Sequence, residues 1–131
     1  MFREVNNMHK FFGVTKAVSK MDKEQLAKLL EFRLSMLTEE YLETMDAHKA
    51  QDAEEVVDGL VDILVVAVGT LDLMGVDVRR AWNTVMNCNI TKEPGVKPSR
   101  PNPLGLPDLI KPPGWVGPDH SENHGKLADI W

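Results

Sequence analysis

The sequence predicts an all-α protein: an antiparallel helix bundle assembled from more than one copy of the chain, with an irregular Pro-rich C-terminal arm. Three observations carry this. All eight prolines of the 131-residue chain fall between Pro94 and Pro118, so the first 93 residues lack the residue that costs about 3 kcal/mol inside a helix. That Pro-free stretch shows no sustained period-2 alternation broken by turn dipeptides. Its apolar residues recur at helical spacing instead. A single helical domain over residues 1–131 is expected, with a body over 1–92 and the arm over 93–131.

Each helix has its own start and stop signals. A first, short helix is expected from about Arg3 to Phe12. Asp22 followed by Gln25 reads as a capping box opening a helix to about Ala50, with Leu26, Leu29, Leu30, Leu34, Leu37, Tyr41 and Met45 at helical spacing. Asp52 followed by Glu55 is a second box, opening a helix through Val56, Leu60, Ile63, Leu64, Ala67 and Leu71 to Met74, closed by Gly75. Asp77 caps a third from Val78 to about Ile90. From Leu60 to Leu73 the second helix is apolar on nearly every side, broken chiefly by Asp62, Gly69, Thr70 and Asp72. A helix apolar all round must be buried all round, and so few helices can hardly enclose it. A homodimer or homotetramer is therefore expected.

Composition narrows the function. Twenty acids against fifteen bases give a net charge of -5, which speaks against a nonspecific nucleic-acid binder or a polybasic membrane clamp. One cysteine, Cys88, excludes an intramolecular disulfide and a Cys-rich zinc site, and suits a reducing interior. The longest apolar run, Ile63 to Val68, is far short of the ~20 residues a bilayer needs. Met1 to Lys10 lacks the apolar core of a signal peptide. A cytoplasmic protein is expected, with neither nucleic acid nor membrane as partner.

The chemistry concentrates in carboxylates. The long helix carries Glu39, Glu40 and Glu43; the next carries Glu55, Asp58 and Asp62. The short loop from about Ala50 to Asp52 makes the two helices antiparallel neighbours. Glu40 lies eleven residues before Gln51 and Asp62 eleven after it, so both sit ~16 Å from the turn at 1.5 Å per residue. Glu43 is level with the stretch from Asp58 to Leu60. Glu40, Glu43, Asp58 and Asp62 thus converge at one level, and as unpaired buried anions they would be strongly unfavourable. The plain alternatives are a solvated acidic face, which suits Asp46, Glu54 and Glu55, or an ion pair between Asp62 and Arg33. For the converging four, hard oxygen ligands call for Mg²⁺, with Mn²⁺ substituting. A di-iron bundle needs Glu-x-x-His, and none of His9, His48, His120 or His124 has a Glu three residues before it. A His-Glu-x-x-His zinc site is absent for the same reason.

Other segments have two readings each. Asn87-Cys88-Asn89-Ile90-Thr91-Lys92 is either a polar helix terminus or a site where Lys92 meets phosphate and Asn89 meets sugar or base. Phe11 and Phe12 beside Lys10 are either core or a stacking surface for a nucleobase. The arm is either a lid or a strap over a partner subunit, and Lys97, Arg100 and Lys111 could bring charge to an anion. Cys88 reads as an inert thiol.

Glu39-Glu40-Tyr41-Leu42-Glu43, Asp58-Gly59-Leu60-Val61-Asp62-Ile63-Leu64, Gly69-Thr70, Gly75-Val76-Asp77 and Asn89-Ile90-Thr91-Lys92 together resemble the MazG-like all-alpha nucleoside triphosphate pyrophosphohydrolases. The resemblance is to the phosphoribosyl-ATP pyrophosphohydrolase-like branch of bacteria and phages. Met8-His9-Lys10-Phe11-Phe12-Gly13 and Lys111-Pro112-Pro113-Gly114-Trp115 are similar to the same branch. One departure stands out. The family's second motif is usually Glu-x-x-Asp, and Gly59 occupies the place of its Glu. The partner of Asp62 is then Asp58, or Glu55 a turn earlier.

The resemblance implies Mg²⁺-dependent hydrolysis of (deoxy)nucleoside triphosphates to the monophosphate and pyrophosphate, for nucleotide-pool control in a bacterial cell or phage-infected host. Glu40, Glu43, Asp58 and Asp62 would hold metal, and Glu39 would position or deprotonate the attacking water or hold a second ion. Asn89, Lys92, Lys111, Arg33 and Phe12 are the substrate-binding candidates. The competing readings are hydrolysis of phosphoribosyl-ATP and a non-enzymatic helical oligomerisation module.

Overall fold

The computed structural model describes all 131 residues, 61% of them helical, in six helices and one two-stranded sheet. The chain forms two compact units, residues 1–78 with 124–131 and residues 79–123.

In the first unit, α1 (Phe2–Phe11) and α2 (Val14–Val18) lead into α3 (Lys23–Ala50) and α4 (Ala53–Leu73). Asp22 caps α3 with a complete capping box: its carboxylate accepts from Gln25 N at 2.9 Å, and Gln25 Oε1 accepts from Asp22 N at 3.0 Å. Asp52 caps α4 by accepting from the N–H groups of Glu54 and Glu55, both at 3.2 Å. Between the two helices stand only Gln51 and Asp52, and Gln51 takes the left-handed conformation (φ 58°) that reverses the chain.

The far end of α4 closes in a Schellman motif. Gly75, at φ 72°, lets Val76 N reach back to Leu71 O and Gly75 N to Asp72 O, both at 3.0 Å. The core at this end is Val18, Leu26 and Leu73, flanked by Val14, Met21, Leu29 and Ile130. Ile130 arrives on α6 (Leu127–Ile130). Lys126 secures that arrival, its backbone N–H donating to Met74 O at 2.6 Å and its ammonium to Val18 O at 3.4 Å.

The burial of α4 departs from an all-round core. Its C-terminal half is enclosed, with Val66, Val68 and Leu73 each under 8% exposed. Its N-terminal half is open: Val57, Leu60, Val61 and Leu64 are 46–63% exposed. That half is left uncovered in the single chain. No single helix is long and apolar enough to cross a membrane.

The second unit holds α5 (Val78–Asn89) beyond its first residue, then β1 (Glu93–Gly95) and β2 (Asp108–Ile110). The arm is therefore not wholly irregular. Its strands pair antiparallel, Glu93 opposite Ile110 and Gly95 opposite Asp108. Pro94 is accepted because a two-stranded ribbon has only edges, where a missing N–H goes unneeded. Arg100 forks onto Asp108 (2.7 and 3.2 Å) and holds its carboxyl below the usual carboxylate range.

Candidate active site

The α3–α4 hairpin sets the site. Thr44 meets Gly59 and Arg33 meets Thr70, as an antiparallel pair turning at Gln51 requires. Thr44 is buried and donates its hydroxyl to Glu40 O at 2.7 Å. A Cβ at residue 59 would overlap the Thr44 hydroxyl, so α4 can approach α3 here only as glycine. Position 59, where the Glu of the Glu-x-x-Asp pattern would stand, thus faces the body of α3.

One turn from this contact the acids gather. Glu40 and Asp62 are half-buried, whereas Glu39, Glu43 and Asp58 are exposed. Loss of solvent around Glu40, followed by the charges of Asp62, Glu43, Glu39 and Asp58, pushes its carboxyl above the usual range. Asp58 belongs to this field; Glu55 lies a turn nearer the loop, where it lines an open groove with Glu54, Val57 and Asp58. No lysine, arginine or histidine pairs with any of the five. No three of them, nor any other group of His, Cys, Asp and Glu, stand together as a metal-holding set. The donor chemistry nonetheless fits a hard divalent ion: five carboxylates around two helices, uncompensated by any base.

Arg33 does not pair with Asp62. Its guanidinium donates to Thr70 Oγ1 at 3.1 Å and Val66 O at 3.0 Å, one to two turns further along α4, and burial lowers its pKa. The nearby network was not evident from sequence. Asn6 Nδ2 donates to Asp72 Oδ1 at 2.8 Å, and buried His9 sets Nδ1 3.3 Å from Asp72 Oδ2. Gly69 lies between these groups, where a Cβ would stand 2.7 Å from both Arg33 Nη2 and His9 Cε1. Spacing alone could not find this network, since it joins helices 60 residues apart. The polar residues Asp72 and Thr70 in an apolar helix were its only signal.

Phe11 and Phe12 are 84% and 71% exposed and touch edge to face, with centroids 5.0 Å apart. They are not core residues. In the second unit, Lys92 donates its ammonium to Asn89 Oδ1 at 2.8 Å. Lys111 lies just beyond β2, on the same unit.

The two members of an antiparallel helical hairpin thus carry a set of carboxylates without basic partners. The family model for phosphoribosyl-ATP pyrophosphohydrolase matches residues 5–89, and the chain belongs to that family, within the MazG-like superfamily. The match runs from α1 to the last residue of α5, so it contains all five acids, Arg33, Phe12 and Asn89, and stops short of Lys92 and Lys111. No curated protein and no solved structure shows a match.

Proposed function

We propose that the protein is a Mg²⁺-dependent hydrolase of (deoxy)nucleoside triphosphates, releasing the nucleoside monophosphate and pyrophosphate. The observation that carries this reading is the crowding of Glu39, Glu43, Asp58 and Asp62 around Glu40 without a single basic partner. A cation together with an anionic substrate would relieve that repulsion.

Glu40, Glu43, Asp58 and Asp62 would hold Mg²⁺, or Mn²⁺ in its place. When bound, the ion supplies positive charge to phosphate oxygens as the α–β phosphoanhydride breaks. Glu39, exposed at the edge of the group, orients the attacking water and takes its proton. Water adds across the anhydride, its oxygen to one phosphorus, and the other fragment leaves with the bridging oxygen. Phe12 offers an exposed ring to a base, and Asn89 an amide to sugar or base edges.

The open apolar half of α4, with Phe32, Tyr41 and Leu42 exposed on α3, supports assembly as a homodimer or homotetramer. The family match favours one second reading, hydrolysis of phosphoribosyl-ATP. Pyrophosphate release from a panel of dNTPs, NTPs and phosphoribosyl-ATP, with Mg²⁺ and with excess chelator, tests both. Activity on free dNTPs that chelator abolishes is expected. Activity on phosphoribosyl-ATP alone would select the second reading. Release from no substrate would leave a helical oligomerisation module.

A further inference from the structure

The contact between Thr44 and Gly59 lies among the acids. On α3, Glu43 immediately precedes Thr44 and Glu40 stands four residues before it; on α4, Asp58 immediately precedes Gly59 and Asp62 stands three after it. Positions three and four apart share a helix face. Glu40 is therefore on the face that Thr44 turns towards α4, and Asp62 on the face that Gly59 turns towards α3. Both lie one turn from the contact, on the side away from Gln51. These two are the half-buried acids, whereas Glu43 and Asp58, next in sequence to the contact, are exposed. After loss of solvent, the charge of Asp62 is the strongest influence raising the Glu40 carboxyl.

That contact holds one atom in one place. A glycine leaves a notch in a helix surface, and the Thr44 hydroxyl fills the notch at residue 59. A Cβ added there would overlap the hydroxyl and stand 3.2 Å from Thr44 Cβ and 3.4 Å from Thr44 Cα. The backbones of α3 and α4 thus come close at this level. The hydroxyl does not turn away, because it donates to Glu40 O at 2.7 Å. The atom that meets Gly59 is therefore tied to the backbone of Glu40 itself. Thr38 makes the same bond to Leu34 O at 3.4 Å but is exposed, so its bond is purely local. Thr44 differs in being buried against a second helix.

We propose that Thr44 is the positioning residue of the carboxylate group: its hydroxyl, seated at Gly59, sets the separation of α3 and α4 at which Glu40 and Asp62 serve one divalent cation. A small hard cation tolerates little error in the spacing of its oxygens, and such a constellation must be held to within about 0.5 Å. One heavy atom in the notch gives that spacing. An empty notch lets the helices shift, and two atoms in it force them apart. Thr44 itself contributes no ligand. That a cation binds here rests on the function proposed above; that one atom sets the spacing rests on the contact alone.

Mn²⁺ binding to the full chain, read by electron paramagnetic resonance without nucleotide, tests this. Thr44→Ala empties the notch, and Gly59→Ala puts a methyl where the hydroxyl already stands. Each should weaken Mn²⁺ binding by about fivefold or more. Thr44→Ser, which keeps the hydroxyl, should stay within about twofold of wild type. Thr44→Ala combined with Gly59→Ala restores one heavy atom to the contact and should return to within about threefold of wild type. Ile130→Ala loosens the core at the other end of the same unit and should bind Mn²⁺ as wild type does. An unchanged Thr44→Ala, a combined variant no better than the weaker single one, or an equal loss in Ile130→Ala would each overturn the proposal. Should Gly59→Ala fail to fold by circular dichroism, Thr44→Ala and Thr44→Ser decide. The two readings fail separately. Mn²⁺ binding that Glu40→Gln abolishes but Thr44→Ala leaves alone defeats only the spacing. Binding that follows the exchange of atoms, in a chain that hydrolyses no nucleotide, defeats only the hydrolase. A wild type that binds no Mn²⁺ defeats both.

Discussion

Glu40 concentrates the electrostatics of the site in one side chain. Its carboxyl is raised by partial burial and by four acidic neighbours, so the folded chain binds its proton more tightly than the unfolded one. The sign follows directly. Repulsion is absent below the ordinary carboxylate pKa, grows as pH rises through the raised folded value, and is complete at neutral pH. Metal-free Glu40→Gln should therefore melt above wild type at pH 7, by less than about 5 °C, with the difference closing towards pH 4. Thermal scans in EDTA across that range check this. The same substitution should abolish turnover, and Mg²⁺ should raise the melting temperature of wild type more than that of the variant. Gly59 supports a second prediction of a different kind. Gly59→Ala gains about 1 kcal/mol of helix propensity, yet its methyl would strike the Thr44 hydroxyl. A net destabilisation of about 1–3 kcal/mol is expected in urea unfolding. Adding Thr44→Ala, which removes that hydroxyl, should recover most of it.

At the scale of the elements, α4 is two half-helices in one. The half from Val66 onwards is sealed by α1, α3 and the C-terminal turn, and the half from Val57 to Leu64 is bare in a single copy. Leu64→Glu should cost little in a monomer, because the side chain is already 46% exposed, but should disrupt an assembly that buries it. Sedimentation velocity should show wild type as a dimer or tetramer and the variant as a smaller species; a monomeric wild type at micromolar concentration would refute the assembly. Much of this scale was legible in the sequence. The box at Asp22 and Gln25 and the cap at Asp52 mark helix starts to the residue, because capping is local chemistry. The facing acids were legible too, since a two-residue turn fixes which positions lie level. What escaped was whatever depends on distant contacts. The short α2 and α6 have too few residues for a periodic signal, and the β1–β2 ribbon is hidden by proline. The clamp of Trp115 on Cys88 and Thr91, and the packing of His9 and Arg33 about Gly69, join segments whose meeting no local pattern encodes.

Across the whole molecule, the last eight residues belong with the first seventy-eight. Ile130 joins the core of Val18, Leu26 and Leu73, and Lys126 ties to Met74 and Val18. A chain ending at Asn123 should therefore lose about 2–4 kcal/mol, a fall in melting temperature on the order of 10 °C, even though every acid of the site is retained. Calorimetry of the truncated chain measures this directly. The bond from Lys126 to Met74 has one more consequence. It joins, within the first unit, the chain on either side of a long excursion, residues 79–123. Loop-closure entropy grows only slowly with length, so such an excursion can be shortened, extended or exchanged with little penalty to the body that bears it. All five acids lie in the first unit, so a change of length within residues 79–123 leaves the two helices that carry them intact.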